Sequence, residues 1–142
     1  MKNKKYFLVK VLIVVMVSAF TLSSCTDNKA KIRSELNLGI KNLYKGDWTH
    51  AIEKFNSVIA MDSTQCEAHL YLGRAYFNQG KQDLAMQQYN TAIRLNPKYG
   101  EAYRSRAQLW FSLGNRTKSC KDYLKAEALG VKNLTNYTSH CK

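Results

Sequence analysis

The sequence predicts an all-α protein built as a helical solenoid of three stacked helix–turn–helix units, followed by a short C-terminal capping segment. Two observations support this prediction. The chain overlays on itself when it is shifted by 34 residues, and again at the same shift. Within each period, the apolar residues have the spacing of two amphipathic helices.

The first 24 of the 142 residues have a different character and are predicted to be a targeting segment. Four lysines lie among the first ten residues, and residues 11–22 have no charge. This run has 12 residues, whereas a helix needs about 20 to span a bilayer. The pattern therefore favours a cleaved signal peptide, residues 1–24, over a spanning anchor. An uncleaved signal anchor that includes residues 7–9 stays open.

The leader ends in Leu22-Ser23-Ser24-Cys25. This tetrapeptide resembles the lipobox of bacterial lipoproteins, in which an aliphatic residue and two small residues precede the cysteine that receives the lipid. The resemblance implies that Cys25 is lipidated, that residues 25–31 form a tether, and that the membrane is reached through this N-terminal lipid. The alternative is a leader cut elsewhere, with Cys25 an ordinary thiol. In lipoproteins of some Gram-negative bacteria, an Asp directly after the lipidated cysteine retains the protein at the inner membrane. Thr26 holds that place here, so the resemblance implies the outer membrane, facing the periplasm.

The formal net charge of +12 is divided between the leader, which has four lysines and no acidic residue, and the rest of the chain. Removal of the leader leaves 18 basic and 10 acidic residues, a formal charge of +8. Such a surface favours anionic partners, including lipid headgroups, acidic protein patches and nucleic acid. An exported protein rarely meets nucleic acid, and the basic residues are scattered, so we expect no nucleic-acid partner. A solvated surface explains most of this charge.

The predicted units are 32–65, 66–99 and 100–133, followed by a cap over 134–142. Seven positions agree in type in all three units. They are Gly46, Gly80 and Gly114; Gly39, Gly73 and Ala107; Ala51, Ala85 and Ser119; Phe55, Tyr89 and Tyr123; Leu43, Phe77 and Phe111; Val58, Ala92 and Ala126; and Met61, Leu95 and Leu129. One pair of helices cannot bury its own apolar face, so we expect the units to stack.

The middle unit shows how each pair of helices is built. Its first helix is predicted to end at Gly80, because glycine readily adopts the left-handed C-cap. Its second helix is predicted to end before Pro97. Gly73 and Ala85 lie on the two facing helices and allow their backbones to approach closely. The ring of Tyr89 is expected to fill the gap that remains.

These residues resemble the tetratricopeptide repeat family. The positions that match its pattern in the middle unit are Leu72, Gly73, Tyr76, Gly80, Ala85, Tyr89, Ala92 and Pro97. The terminal units depart from it at Asn42, Ser63, Arg106, Ala107 and Ser119, as capping units often do. The resemblance covers about residues 32–133, and it implies a right-handed solenoid that binds other proteins.

Three cysteines remain beyond the leader: Cys66, Cys120 and Cys141. An oxidising envelope permits disulfides. The run from Cys120 to Gly130, followed by a near-terminal cysteine, resembles the closing segment of many bacterial repeat proteins of this type. The resemblance implies a disulfide between Cys120 and Cys141 that holds the cap. Two unrelated free thiols are the alternative.

Cofactor and catalytic sites are not expected. Cys66 and His69 are three residues apart on one helix, but two further ligands for a structural zinc are not spaced to join them. The sequence has no nucleophile–base pairing, no glycine-rich phosphate loop and no paired-carboxylate signature. We therefore expect no metal, no cofactor, no small-molecule substrate and no enzymatic activity.

A protein-binding groove is expected on the first helices of the units, which line the concave face of such arrays. Helical spacing places one stripe of residues away from the core. The groove residues predicted in this way are Ile40, Tyr44, Leu70, Arg74, Asn78, Arg104 and Gln108. Some tetratricopeptide proteins grip a partner's C-terminal carboxylate with Lys, Asn and Arg side chains in this groove. The matching places here are Leu36, Ile40, Tyr71, Glu101 and Ser105, so that pattern is absent.

The sequence thus predicts a lipid-anchored scaffold or assembly factor of the cell envelope that binds segments of partner proteins in this groove. Two alternatives stay open. One is a periplasmic thiol-redox protein that acts through Cys66, Cys120 or Cys141. The other is a binder of anionic lipid or glycan that uses the basic surface.

Overall fold

The computed structural model describes residues 27–139 and residue 141, and its regular secondary structure there is entirely helical. The helices are α1 over 27–44, α2 Trp48–Met61, α3 Cys66–Asn78, α4 Gln82–Leu95, α5 Gly100–Ser112, α6 Arg116–Ala128 and α7 Thr135–Thr138. The first six form three helix–turn–helix pairs. α3 begins at Cys66 and α5 at Gly100, the first residues of the predicted second and third units. The predicted all-α repeat architecture is confirmed.

The chain divides into two compact units, residues 1–34 and Glu35–Lys142. In the first unit, the predicted signal peptide and the predicted lipidation site, Cys25, lie outside the described residues. Residues 27–31, expected to form a polar tether, are exposed and helical. Ala30 and Lys31 are residues of high helix propensity. None of the helices over 27–139 is both long enough and apolar enough to cross a membrane.

Glycines end the first helix of each pair, as predicted. Their φ angles are 79° at Gly46, 75° at Gly80 and 75° at Gly114, in the left-handed region that glycine adopts without a steric penalty. Polar side chains begin the next helix in two of the pairs. Asp47 accepts a hydrogen bond from the backbone N–H of His50, and Asn115 accepts one from the backbone N–H of Lys118. These caps satisfy donors that have no partner inside the helix.

The two helices of a pair meet where the sequence places its small residues. A Cβ added at Gly39 would lie 2.6 Å from Cε1 of Phe55, so the absence of a side chain allows the ring to pack against the backbone. Gly73 and Tyr89 have the same relationship in the second pair. Phe55 and Tyr89 are both fully buried. The prediction that an aromatic ring fills this gap is confirmed.

A shared core joins the second and third units. Its buried members are Leu70, Ala85, Tyr89, Ala92, Ala102 and Leu109, and Phe77 is among the half-buried residues packed against them. Ala102 and Leu109 belong to α5, and the other buried members belong to α3 and α4. α5 is therefore packed into a hollow that the second unit provides.

The C-terminal segment covers part of the third unit. Leu134 is buried with Ala107, Tyr123 and Ala126. The ring of Tyr137 stacks on Tyr123, with 4.8 Å between the ring centroids. A disulfide joins Cys141 to Cys120 of α6, and their Cα atoms are 5.3 Å apart. The returning segment is thus fixed by apolar packing and by one covalent bond.

Candidate protein-binding groove

The first helices of the three units line a concave pocket of about 280 Å³. Its lining residues are Leu43, Tyr44, Arg74, Phe77, Asn78, Tyr89, Arg104 and Gln108. Five of them belong to the groove predicted from helical spacing: Tyr44, Arg74, Asn78, Arg104 and Gln108. The structure therefore brings predicted positions from α1, α3 and α5 onto one surface.

Two of the predicted groove residues lie elsewhere. Ile40 is half-buried and does not line the pocket. Leu70 is only 1% exposed and lies in the core between the second and third units, so its placement in the groove was wrong. The reason is that α3 contacts α2, α4 and α5. Ala68, His69 and Leu70 are consecutive and all buried. The buried surface of α3 is therefore wider than the single narrow face that helical spacing predicts.

The two arginines of the pocket share one carboxylate. Nη2 of Arg74 donates to Oε2 of Glu101 at 3.0 Å, and Nε of Arg104 donates to the same oxygen at 2.9 Å. Nε of Arg74 also donates to Oγ of Ser105 at 3.0 Å. The guanidinium carbon of Arg74 lies 5.3 Å from the ring centroid of Tyr71. Arg74 on α3 is thereby held against α5.

This arrangement leaves the cluster with one net positive charge, because two guanidinium groups face one carboxylate. Each guanidinium has five N–H donors, so the pair with Glu101 leaves donors for a ligand. Both arginines are held by contacts in the free protein, which reduces the side-chain entropy lost when a ligand binds. Burial raises the pKa of Tyr71 beside them, so its hydroxyl remains protonated near neutral pH.

The apolar part of the pocket was only partly anticipated. Tyr44 is 76% exposed, the most exposed large apolar side chain of the described residues. Leu43 and Phe77 also line the pocket, although helical spacing did not predict them as groove residues. They occupy the last turn of α1 and α3, where the same side chain contacts both the core and the pocket. Their position near the end of the first helix was the feature of the sequence that could have indicated a place in the pocket.

The other predicted site residues are placed as follows. The Cys120–Cys141 disulfide forms in the structure. Cys66 is the free cysteine of the described residues. Nδ1 of His69 is 2.8 Å from Oε1 of Gln88, and its Nε2 is 3.3 Å from the carbonyl oxygen of Ser63. Both ring nitrogens thus have protein partners. Within 27–139 and at 141, no group of three or more His, Cys, Asp or Glu side chains has an arrangement suited to a metal ion.

Comparison with known proteins agrees with this geometry. The family model described as TPR repeat matches residues 73–114, which include the end of α3, α4 and α5. Several solved structures share the fold. The first TPR of Spaghetti (RPAP3) bound to the HSP90 peptide SRMEEVD is 25% identical, with a TM-score of 0.74, covering 79% of this chain and 93% of that chain. These matches support the predicted resemblance to the tetratricopeptide repeat family.

Two further solved structures are similar. The first TPR domain of the human RPAP3 protein is 25% identical, with a TM-score of 0.72, covering 78% of this chain and 88% of that chain. The crystal structure of MamA is 28% identical, with a TM-score of 0.64, covering 70% of this chain and 58% of that chain. None of the curated proteins matches the sequence.

The third unit departs from the Leu-Gly pair of the tetratricopeptide pattern at Arg106-Ala107, and the structure shows how the departure is accommodated. Nε of Arg106 donates to Oδ2 of Asp122 at 2.7 Å, and its Nη2 donates to Oδ1 at 2.9 Å. A third donor bonds Oδ1 of Asn90 at 2.7 Å. This bidentate geometry is the strong form of an arginine–carboxylate pair. An ion pair therefore stands at a register where the second unit has the buried, apolar Leu72.

Proposed function

We propose that the protein is a scaffold or assembly factor of the cell envelope, without catalytic activity, that binds a segment of a partner protein in the concave pocket. The observation that carries this proposal is the gathering of Tyr44, Arg74, Asn78, Arg104 and Gln108 on one surface. The repeat packing does not require Tyr44, which is largely exposed. Exposed aromatic and arginine side chains at the centre of a concave surface are typical anchors of a partner segment.

The tetratricopeptide neighbours support a peptide ligand. The first TPR of Spaghetti is bound to an HSP90 peptide, and this chain shares its fold over most of its length. In the present pocket, an apolar side chain of the partner segment would rest on Tyr44 and Phe77. Acceptor groups of the segment would receive hydrogen bonds from Arg74 and Arg104. The net positive charge of these arginines with Glu101 favours a segment with acidic residues.

Membrane attachment through Cys25 forms the second part of the proposal. Its support is the basic and apolar leader followed by Leu22-Ser23-Ser24-Cys25. Two or three acyl chains, at about 0.8 kcal/mol for each buried methylene group, anchor a protein stably. Thr26 after the cysteine favours the outer membrane, with the repeats facing the periplasm. We expect Cys25→Ala to leave an unprocessed precursor without labelled acyl chains. Acylation that persists in this variant would refute lipidation at Cys25.

A matched pair of variants tests the groove. The groove variant combines Tyr44→Ala and Arg104→Gln. The control combines Trp48→Ala and Arg94→Gln, which also removes one aromatic and one cationic side chain but lies outside the pocket lining. Arg74 is left intact, because its contacts with Glu101 and Ser105 also join two helices. Both variants are checked for folding by circular dichroism and for membrane attachment by fractionation.

The readout is quantitative mass spectrometry of proteins crosslinked to each variant in envelope membranes. We expect the groove variant to lose its partners at least about fivefold, and the control to retain them. Partners that survive the groove substitutions at parental levels, or that are lost equally from both variants, would contradict the proposal. The Cys120–Cys141 bridge counts against a thiol-redox role, because it leaves Cys66 as the free thiol of the described residues.

A further inference from the structure

The concave pocket has an exposed rim and a buried floor. Tyr44, Asn78 and Gln108 are lining residues with exposed side chains. Tyr89 lines the same pocket but is only 1% exposed. The side chain of Arg74 lies between these extremes, at 21% exposure. A ligand that reaches Tyr89 must therefore extend a side chain into the pocket.

The hydroxyl group of Tyr89 has no hydrogen-bond partner among the residues that the structure describes. Within that part of the chain, the only fully enclosed side-chain N or O atom without a partner is Oε1 of Gln79. The hydroxyl oxygen of Tyr89 is therefore not fully enclosed, and the pocket that Tyr89 lines is the space that it meets. Its polar atom is thus available to a group that enters the pocket.

Packing of the repeat does not require this hydroxyl. Phe55 stands at the same register in the first unit, and it is as deeply buried as Tyr89. Each ring packs against a glycine of the facing helix, Phe55 against Gly39 and Tyr89 against Gly73. The hydroxyl is what distinguishes the second unit from the first. Buried tyrosine hydroxyls usually have a hydrogen-bond partner, which indicates that a ligand supplies it here.

The two arginines of the pocket add further donors. Their Nε and Nη2 atoms are occupied by Glu101 and Ser105. Nη1 of Arg74 and Nη1 of Arg104 have no acceptor within the described residues, and each carries two N–H groups. Burial raises the pKa of Tyr89 well above its ordinary value, although the nearby charge of Arg74 opposes this. The hydroxyl therefore stays protonated near neutral pH and is able to donate.

We propose that the floor of the concave pocket binds the side-chain carboxylate of one Asp or Glu of the partner segment, and that Tyr89 is the specificity-determining residue. A carboxylate accepts several hydrogen bonds, and its charge balances the one net positive charge of the arginine cluster. A neutral side chain would leave that charge unbalanced. The backbone of the segment stays at the rim, beside the amides of Asn78 and Gln108. This inference rests on the proposed groove function and names the group that the groove recognises.

The probe for the test is obtained by selection. Phage-displayed random segments, followed by a linker so that they have no free C-terminal carboxylate, are selected on the full, oxidised chain. A selected segment is then synthesised with an amidated C terminus and a fluorescein label. A second version has Gln in place of its Glu, or Asn in place of its Asp. Fluorescence polarisation measures the affinity of each version.

We expect the selected segments to share one acidic position. The neutral version should bind about tenfold more weakly, because it loses charge-assisted hydrogen bonds. Tyr89→Phe should weaken the binding of the acidic version by about tenfold and that of the neutral version by no more than about threefold. This unequal effect links the hydroxyl to the carboxylate, whereas a merely structural role of Tyr89 would weaken both versions equally.

A matched control removes the same atom elsewhere. Tyr123 stands at the register of Tyr89 in the third unit and does not line the concave pocket. Tyr123→Phe should leave both affinities near parental. Phe55 shows that the register accommodates phenylalanine, so Tyr89→Phe should retain the fold, as unfolding in urea checks.

The outcomes separate this inference from the groove function. If the segments lose affinity with Tyr44→Ala but bind Tyr89→Phe as tightly as the parent, the groove function stands and the role of Tyr89 is refuted. Equal losses of both versions with Tyr89→Phe, or selected segments without a shared acidic position, also overturn the inference. If no segment is selected, or if the combination of Tyr44→Ala and Arg104→Gln leaves binding unchanged, the groove function itself fails, and this inference fails with it.

Discussion

The ring of Tyr89 occupies the space into which a Cβ at Gly73 would project. An added Cβ would lie 2.6 Å from Cε1 of Tyr89, and 3.3 Å from the carbonyl oxygen of Ala85. Real Cβ atoms do not approach a ring so closely, and the second contact is with backbone. The spacing of α3 and α4 therefore depends on the missing side chain at position 73.

We predict that Gly73→Ala destabilises the fold. Higher helix propensity favours alanine by about 1 kcal/mol, but overpacking of a well-packed core costs about 1–3 kcal/mol. The contact with the backbone of Ala85 limits relaxation, so we expect the free energy of unfolding in urea to fall by about 1 kcal/mol. The exposed substitution Gln87→Ala is the control and should change it by less than about 0.5 kcal/mol. A Gly73→Ala protein more stable than the parent would show that the ring moves freely.

A second prediction concerns Arg106 and Asp122. The side chain of Asp122 is 6% exposed and that of Arg106 is 21% exposed. Asp122→Ala should lower the free energy of unfolding by about 2 kcal/mol. We place this value below the 3–5 kcal/mol for breaking a fully buried pair, because water reaches the guanidinium.

The control for this pair copies the second unit. Leu72 and Gln88 stand at the registers of Arg106 and Asp122, so Arg106→Leu with Asp122→Gln replaces the ion pair by the second unit's residues. We expect this double variant to be within about 1 kcal/mol of the parent, since replacing both charges leaves none unpaired. If the double variant is less stable than Asp122→Ala, the ion pair has a role that the second unit's contact cannot replace.

The third prediction concerns the disulfide, which closes a loop with a sequence separation of 21. Cys120→Ser with Cys141→Ser should lower the free energy of unfolding by about 3 kcal/mol. Dithiothreitol should lower the stability of the parent by a similar amount and should not affect the double variant. Cys66→Ser, which lies outside the bridge, is the matched control. Equal sensitivity of the parent and the double variant to the reductant would mean that Cys120 and Cys141 are not joined in the protein as made.

The sequence was sufficient to predict the helices, their turns and the packing within each unit. Gly80, Gly73 and Tyr89 each satisfy a local geometric requirement. The repeat shows the turn glycine and the aromatic ring three times, and the glycine of the close approach twice. Burial of Leu70 was not predictable in this way, because it depends on how α3 is covered by neighbours on several sides.

Charge pairing across helices was also beyond the sequence. Glu101 lies three residues before Arg104, so that contact follows from helical spacing. Its second contact, with Arg74 on α3, depends on the rotation and distance between stacked units. The departure at Arg106 was visible against the repeat, but its partner Asp122 was not, because the same register holds Gln88 in the second unit. Repeat periodicity predicts which face a residue occupies, not which side chain meets it.

Binding of partner segments in the concave pocket can be detected in intact cells by site-specific photocrosslinking. p-Benzoylphenylalanine is placed at Gln108, an exposed residue of the pocket lining, or at Gln87, an exposed residue of α4 outside it. After irradiation of intact cells, adducts are identified by mass spectrometry. We predict a partner adduct from position 108 that is absent from position 87, and that disappears when Tyr44→Ala is added. Identical adducts from both positions, or an adduct at 108 that is insensitive to Tyr44→Ala, would mean that partner segments do not bind in the concave pocket.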